Sequence, residues 1–383
     1  MNELEGIIRK RIKEGGPMNF SQFMATALYE PEHGYYMRDD LEIGVKGDFY
    51  TSPHLHPAFG AMIARQAQEC WEAMGRPEEF SIVEAGSGRG FLALDLMDYL
   101  SDKPLYSKLS YQIIELNPAL QKRQRELLGE HKDKTSWHER LEQAAPVQGM
   151  IVTNELLDAL PVHLFAKLGQ PNEPNELSEI YIALRGGVLV EEPGPLSTPR
   201  IVEYLNEFGV EYGDSMGDGM RSEVHLAMKD WLKEASGALE EGFVLTIDYG
   251  FPASQYYSQD RPQGTLLCYH NHTVNEDFLS RIGEQDITAH VNFSALKHWG
   301  EELGLVPLGF TRQGPYLVSL GLDVVVTEMY TDGKGLGRDL PKIQNLIMGG
   351  TMGDTHKVML QCTGKYAGLK PGGFKLKNQL ESL

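Results

Sequence analysis

The chain has 383 residues, 23% of them charged and 41% apolar, an ordinary globular balance with room for one large α/β domain with insertions or for two domains. No run approaches the ~18 apolar residues of a membrane span. The 54 acids against 35 bases leave a net charge of −19, which repels phosphate backbones and argues against a nucleic-acid partner. The same charge would attract a basic peptide or a cationic small molecule, or serve solubility alone. Cys70, Cys268 and Cys362 are too few and too far apart for a disulfide frame or a zinc site, and fit a reducing cytoplasm.

At the N-terminus, Leu4, Ile7, Ile8 and Ile12 alternate with Arg9, Lys10, Arg11 and Lys13. This is an amphipathic helix for docking rather than a signal sequence, and Glu3, Glu5 and Glu14 speak against a transit peptide. A second helix starts near Pro17 and ends by Tyr29. Residues 31–53 are then loop, dense in aromatics, prolines and glycines, through Tyr35, Tyr36, Phe49, Tyr50 and Pro53. Connecting loops seldom expose so many large rings. The stretch reads as a lid over a site, or else as a strap covering core surface. His54 and His56 lack a third ligand at defined spacing and read as structural. Apolar positions from Phe59 to Met74 recur at helical spacing, with Gly75 and Pro77 as the stop.

The next stretch organises the chain. Phe80, Ile82 and Val83 form a buried strand, Glu84 leads into Gly86, Gly88 and Gly90, and a helix runs from Leu92 to Leu100. Glycine permits positive φ and close approach of a ligand, and a helix start beyond it offers unpaired N–H groups. The pattern is weak alone, because dinucleotide-binding turns look alike. The third glycine comes one place earlier than in that fingerprint, and the lead residue is acidic. Both features favour S-adenosylmethionine (SAM) over NAD. A second strand, Tyr111–Leu116, carries Glu115 at its end, where an acid can accept both ribose hydroxyls in a doubly wound fold.

A short third strand at 135–138 precedes a fourth, 149–155, which ends in Asn154-Glu155 with Asp158 just beyond. Chemistry in such sheets gathers at the carboxyl ends of strands. An N-cap asparagine followed by helix-start acids explains the same residues equally well. Alternation over 162–191, interrupted at 171–175 and 185–187, reads as hairpins outside the main sheet. Helices follow at about 197–208 and 221–239, the second with Val224, Met228, Trp231 and Leu232 on one face. Gly242–Gly250 is a buried strand ending in Asp248. Residues 251–292 form a long, aromatic, functional loop. A helix to about 303, a strand at 305–312, helices over 317–348 and a last strand at 357–362 close the chain.

Taken together, the motifs resemble those of the MidA-like family. They are Gly16-Pro17 through Gly34-Tyr35-Tyr36, Gly47-Asp48-Phe49-x-Thr51-Ser52-Pro53, the glycine turn, Asn154-Glu155-Leu156-Leu157-Asp158-Ala159-Leu160-Pro161, Ile247-Asp248-Tyr249-Gly250 and Thr288-Ala289-His290-Val291-Asn292-Phe293. That family takes in bacterial homologues and the mitochondrial complex I assembly factor that methylates an arginine. The turn Ala85-Gly86-Ser87-Gly88 departs from the family's usual Leu-Gly-Pro-Gly and keeps its logic.

The resemblance implies an α/β class I methyltransferase, with a Rossmann-like seven-stranded sheet whose last strand is antiparallel, an N-terminal lid and an inserted α+β substrate subdomain. The parts run as lid (1–57), first part of the core (58–161), inserted hairpins and helices (162–240), core strand (241–250), inserted active-site loop (251–292), last part of the core (293–365) and tail (366–383). The cofactor implied is SAM, against Thr51, Ser52 and Pro53 on the lid, Glu84, Gly86, Gly88, Gly90, Glu115 and Leu116, with Asn154 at its methionyl or adenine edge. The acceptor implied is a protein arginine, such as one in a respiratory-complex subunit. Glu155 and Asp158 would grip its guanidinium, and His290 or Asp286 would accept the released proton. A small-molecule methyltransferase and a non-catalytic assembly chaperone remain open as alternatives.

Overall fold

The computed structural model describes residues 2–44, 47–167, 177–210, 219–331 and 333–383. The sequence break expected at 171–175 lies outside them. Seven core strands are labelled here in chain order: β1 (Phe80–Ala85), β2 (Leu109–Ile114), β3 (Thr135–His138), β4 (Val147–Asn154), β5 (Leu239–Phe251), β6 (Leu305–Arg312) and β7 (His356–Thr363). They lie in the order β3-β2-β1-β4-β5-β7-β6. Strands β1 to β5 pair in parallel, and β7 runs antiparallel to both β5 and β6. An eighth strand of two residues, Val291–Asn292, adds in parallel at the end of β5. The sheet therefore has eight strands where seven were expected, because the chain returning from 251–290 pairs briefly with Gly250 and Phe251 before its helix starts.

Period-two alternation sorts the core strands onto two faces. Ile82, Met150, Val152, Leu245 and Val358 pack with the helices Ala58–Ala73 and Phe91–Leu100. Val83, Ile151, Val244 and Met359 pack with Leu226–Ala238 and Phe293–Glu302 on the other face. Strands covered on both faces must be apolar at nearly every position, as these are. The chain leaves β1 toward β2 on one side and later returns to β4 on the other. The crevice at the carboxyl ends of β1 and β4 is thus the switch point where ligands bind in such sheets.

A second sheet forms from Met18–Asn19, His163–Lys167, Leu177–Arg185, Val188–Gly194 and Arg221–Val224. Met18 and Asn19 pair with Ile182 and Tyr181, which joins the N-terminal segment to the insertion. Leu4, Ile8 and Ile12 of the first helix are buried beside it. Two local expectations differ from the structure. The stretch 221–239 begins as a strand before its helix. Glu223 is buried there because it accepts from the backbone N–H of Thr265 (2.9 Å), the Thr265 hydroxyl (3.0 Å) and the Tyr256 hydroxyl (2.9 Å), all distant in sequence. The long loop 251–292 contains a three-stranded sheet of Leu267–His270, Thr273–Asn275 and Asp286–Thr288.

Trp299 fastens the insertion to the core. Its ring meets Tyr204 at 5.5 Å and Phe208 at 5.6 Å, and its indole N–H donates to Glu207 at 3.0 Å. Trp299→Ala is expected to lower the unfolding free energy by about 3–5 kcal/mol, measured by denaturant titration.

Candidate functional site

The crevice is floored by the glycine turn. Gly86, Gly88 and Gly90 hold φ of +73°, +52° and +84°, a region that side chains disfavour. Gly86 N–H closes onto Ile114 O (3.0 Å) and Gly90 N–H onto Ser87 O (2.8 Å). A Cβ at Gly86 would lie 2.8 Å from Leu156 Cδ1. Glu84 shapes this turn from beneath, accepting from the Ser87 hydroxyl (2.8 Å) and the Tyr111 hydroxyl (2.7 Å). Burial outweighs those bonds and lifts its pKa to about 7. Glu115 stands at the end of β2, accepting from Asn117 N–H (2.9 Å) and Gln124 Nε2 (3.1 Å). Burial raises it to about 7 as well. Beside it, Leu116 is 51% exposed and forms apolar wall.

These residues line a cavity of ≈ 660 Å³, roofed by Tyr36, Met37, Ile43, Phe49, Thr51, Pro53 and His54 of the lid stretch. The roof is pinned by polar contacts: Arg89 to Glu42 (2.9 Å), Asn117 Nδ2 to the carbonyls of Tyr36 (2.9 Å) and Arg38 (3.0 Å), and Arg123 to Leu41 O (2.7 Å). His54 bonds Thr51 (2.6 Å) and His56 bonds Tyr330 (2.7 Å). Trp231, Glu234 and Arg140 complete the wall from the opposite face. Sequence periodicity placed Trp231 on an apolar helix face, and only the packing turns it to the cavity.

At the far end the residues after β4 gather acids. Glu155 takes φ +52°, unusual for a residue with a side chain and found mostly at functional positions. Its N–H donates to Ile247 O (2.9 Å). Its Oε1 accepts from Asn154 Nδ2 (3.1 Å) and, at 3.4 Å, from the N–H of Ser52. Asn154 Oδ1 is buried without a partner, on the cavity wall. Behind Glu155 lie Asp158, Asp248 and Asp286. Asp248 accepts the N–H groups of Leu157 (2.9 Å), Asp158 (3.4 Å) and Tyr249 (2.8 Å). Asp286 accepts from the Tyr36 hydroxyl (2.8 Å). Burial first, and then neighbouring carboxylates, raise all three: Asp286 to about 7, with Asp48 and Glu155 adding, Asp248 to about 8, with Glu155 adding, and Asp158 well above the carboxylate range, with Asp248, Asp286 and Glu155 adding. Among the described residues no lysine or arginine pairs with any of the four.

Most of the residues singled out from sequence meet in this cavity: Thr51, Pro53, Glu84, Gly86, Gly88, Glu115, Leu116, Asn154 and Glu155. Gly90 starts the helix Phe91–Leu100 just behind them. Four others stand outside the lining. Ser52 is buried and donates to Gln313 Oε1 (3.0 Å). Asp158 and Asp286 sit in the acid layer behind Glu155. His290 stacks on Tyr249 (6.0 Å between centroids) and Phe251 (5.2 Å), and faces a second cavity of ≈ 220 Å³ that Arg221 and Arg261 also line. Burial and the Lys357 and Arg261 charges lower His290 to about 4, so it is neutral at pH 7. Sequence reasoning missed Tyr36, Trp231 and Arg140 as cavity residues.

Residues 62–311 match a protein family described as "Putative S-adenosyl-L-methionine-dependent methyltransferase". A Burkholderia thailandensis protein, with a crystal structure bound to S-adenosyl-homocysteine, is 30% identical with a TM-score of 0.88, over 99% of this chain and 96% of that one. The Drosophila melanogaster "Protein arginine methyltransferase NDUFAF7 homolog, mitochondrial" is 25% identical over 400 residues, covering 95% of this chain and 84% of that protein. Its Xenopus tropicalis relative of like name is 27% identical over 341 residues, covering 82% and 74%. SAM fits the cavity described: the buried Asn154 Oδ1 offers an unused acceptor, Glu115 a carboxylate, and Gly88 a floor without a side chain.

Two measurements follow. Gly88→Val is expected to weaken SAM binding at least about a hundredfold, since a branched side chain is strained at positive φ, with the fold intact by circular dichroism. Wild-type SAM affinity should rise by up to about tenfold from pH 6 to pH 8, as Glu115 ionises through about 7 and becomes a full double acceptor. Calorimetry at both pH values should find that Glu115→Gln flattens this rise.

Proposed function

The chain belongs to the MidA-like family of SAM-dependent methyltransferases, and on that premise we propose that it methylates an arginine side chain of a partner protein. The observation that carries the acceptor is the group of four buried acids beside the cofactor cavity, Glu155, Asp158, Asp248 and Asp286, with which no lysine or arginine pairs among the described residues. Buried carboxylates without cations are costly, and a guanidinium held by two of them would relieve that cost. The names of the Drosophila and Xenopus relatives support the same acceptor, and the net charge of −19 favours a basic one.

SAM supplies an electrophilic methyl group when bound. Gly86, Gly88 and Gly90 would let it approach the backbone, Glu115 would take its ribose, Asn154 Oδ1 its amino group, and Leu116, Thr51 and Pro53 its apolar flanks. The roof from Tyr36 to His54 would limit water at the methyl group, which suits a displacement that depends on alignment and dryness. Arginine is protonated in water, and its nitrogens are poor nucleophiles. Glu155, reaching the cavity, would hold the guanidinium through paired hydrogen bonds and turn one nitrogen toward the methyl group. Asp158, held protonated by burial, backs Glu155 as a polar wall. The family resemblance favours a respiratory-complex subunit as the natural acceptor. Three buried free cysteines suit a reducing compartment such as the cytoplasm. Among the described residues no helix is long and apolar enough to cross a membrane.

The test is transfer of tritiated methyl from SAM to basic peptides carrying a single arginine, with lysine-substituted peptides as controls. Label is expected on the arginine only. Glu155→Gln should lower kcat at least about a hundredfold and leave the Kd for SAM within twofold. Unchanged turnover in that variant, or label on the lysine peptide, would overturn the assignment.

A further inference from the structure

Methylation of a guanidinium releases a proton inside a dry cavity, and that proton needs a way out. His356, the first residue of β7, lies between the cavity and the surface. Its imidazole is fully buried, on the face where Val358 and Leu360 continue the same strand with apolar side chains. Nε2 stands 3.2 Å from Glu155 Oε1, off the line of a hydrogen bond, as catalytic pairs often do before substrate engages. Nδ1 lies 3.2 Å from the hydroxyl of Thr355, an exposed residue whose hydroxyl also donates to Thr351 O (3.2 Å). The Tyr249 ring covers the imidazole at 4.1 Å. One nitrogen therefore faces the carboxylate on the cavity and the other a hydroxyl at the surface. An imidazole can take a proton on one nitrogen and give one up from the other.

We propose that His356 carries the acceptor's proton from Glu155 to Thr355 and solvent. The proposal rests on the role of Glu155 given above. As the acceptor nitrogen forms its bond to the methyl carbon, the carbon–sulfur bond breaks and its electron pair returns to sulfur. The nitrogen loses one proton to Glu155. Glu155 passes it to Nε2, and the proton on Nδ1 leaves through the Thr355 hydroxyl. The carboxylate is restored and the imidazole is left neutral as its Nε2–H tautomer, whose return to the Nδ1–H tautomer completes the cycle; one proton leaves per methyl transferred. His356 does not touch the acceptor and acts only through Glu155.

Other charged groups near the imidazole are few and mostly engaged. Lys357 Nζ is turned to the carbonyls of Asp354 and Thr355 (both 2.8 Å), and Arg312 pairs with Asp354. Asp248 is held by three N–H groups, and His290 lies beyond Tyr249.

Two readouts test the relay. The exposed position of Thr355 allows Thr355→Val and Thr355→Ser without disturbing the core. With the single-arginine peptide, the valine variant should lose about tenfold in kcat, with KM and the Kd for SAM within twofold, and the serine variant should recover it. Independently of turnover, nitrogen-15 NMR of histidine-labelled full-length protein should show the His356 ring signals moving in Glu155→Gln and again in Thr355→Val. Wild-type kcat in Thr355→Val, or His356 signals indifferent to Glu155→Gln, would overturn the relay. If the wild-type protein labels no arginine, the arginine assignment falls separately. The NMR shifts then decide alone whether Glu155, His356 and Thr355 are coupled.

Discussion

Glu155 occupies a backbone conformation that costs of order 1–3 kcal/mol for a residue with a side chain, and four separate parts of the chain converge to hold it there. Its N–H is taken by Ile247 of β5, its carboxylate by Asn154 of β4 and by the backbone of Ser52 in the lid, and His356 of β7 abuts the same oxygen. The left-handed turn throws the side chain across the crevice instead of along the sheet. The Glu155 carboxylate thereby ties the strand ends to Ser52 of the roof stretch, alongside the contacts of Arg89, Asn117 and Arg123 that hold the rest of that stretch.

The acids impose a cost that depends on pH. Glu84, Glu115 and Asp286 are lifted to about 7 and Asp248 to about 8, in each case first by burial. A carboxyl whose folded pKa lies above its unfolded value of about 4 contributes stability that is complete below that value. The contribution is lost as pH rises through the folded pKa. The chain therefore gives up stability between about pH 4 and pH 8, the range over which its binding site becomes charged. A cation seated among the ionised groups would return part of what is lost.

The N-terminal segment and the second sheet form one layer. Met18 and Asn19 complete the second sheet beside Tyr181 and Ile182, and the helix Phe20–Tyr29 continues directly from them. From that base, Tyr29 and Tyr36 reach the cavity wall, and Asp48 receives Tyr35 from the lid side and Asn271 N–H from the small sheet. The N-terminal stretch that roofs the cavity is thus tied by hydrogen bonds to the second sheet and to the small sheet.

What could be read from sequence alone was local. The spacing of Gly86, Gly88 and Gly90 reports a backbone requirement. The alternation of Ile82 and Val83 or of Val244 and Leu245 reports two covered faces. Glu115 and Asn154-Glu155 betray themselves by following buried strands. Each signal lies within a few residues of its cause. Tertiary structure alone decided which strand lies beside which. His356 meets Glu155 only because the last strand inserts antiparallel between β5 and β6, and Trp231 reaches the cavity only through the docking angle of its helix. Arg221–Val224 became a strand, and 251–292 gained a sheet, because donors far away in the chain and neighbouring strands satisfied groups that no local pattern could pair. His290 followed a strand end like the others, yet the Tyr249 ring stands between it and Glu155. Side-chain periodicity shows which way a residue faces from its own element, while contact with a ligand depends on the neighbour that the fold places in front of it.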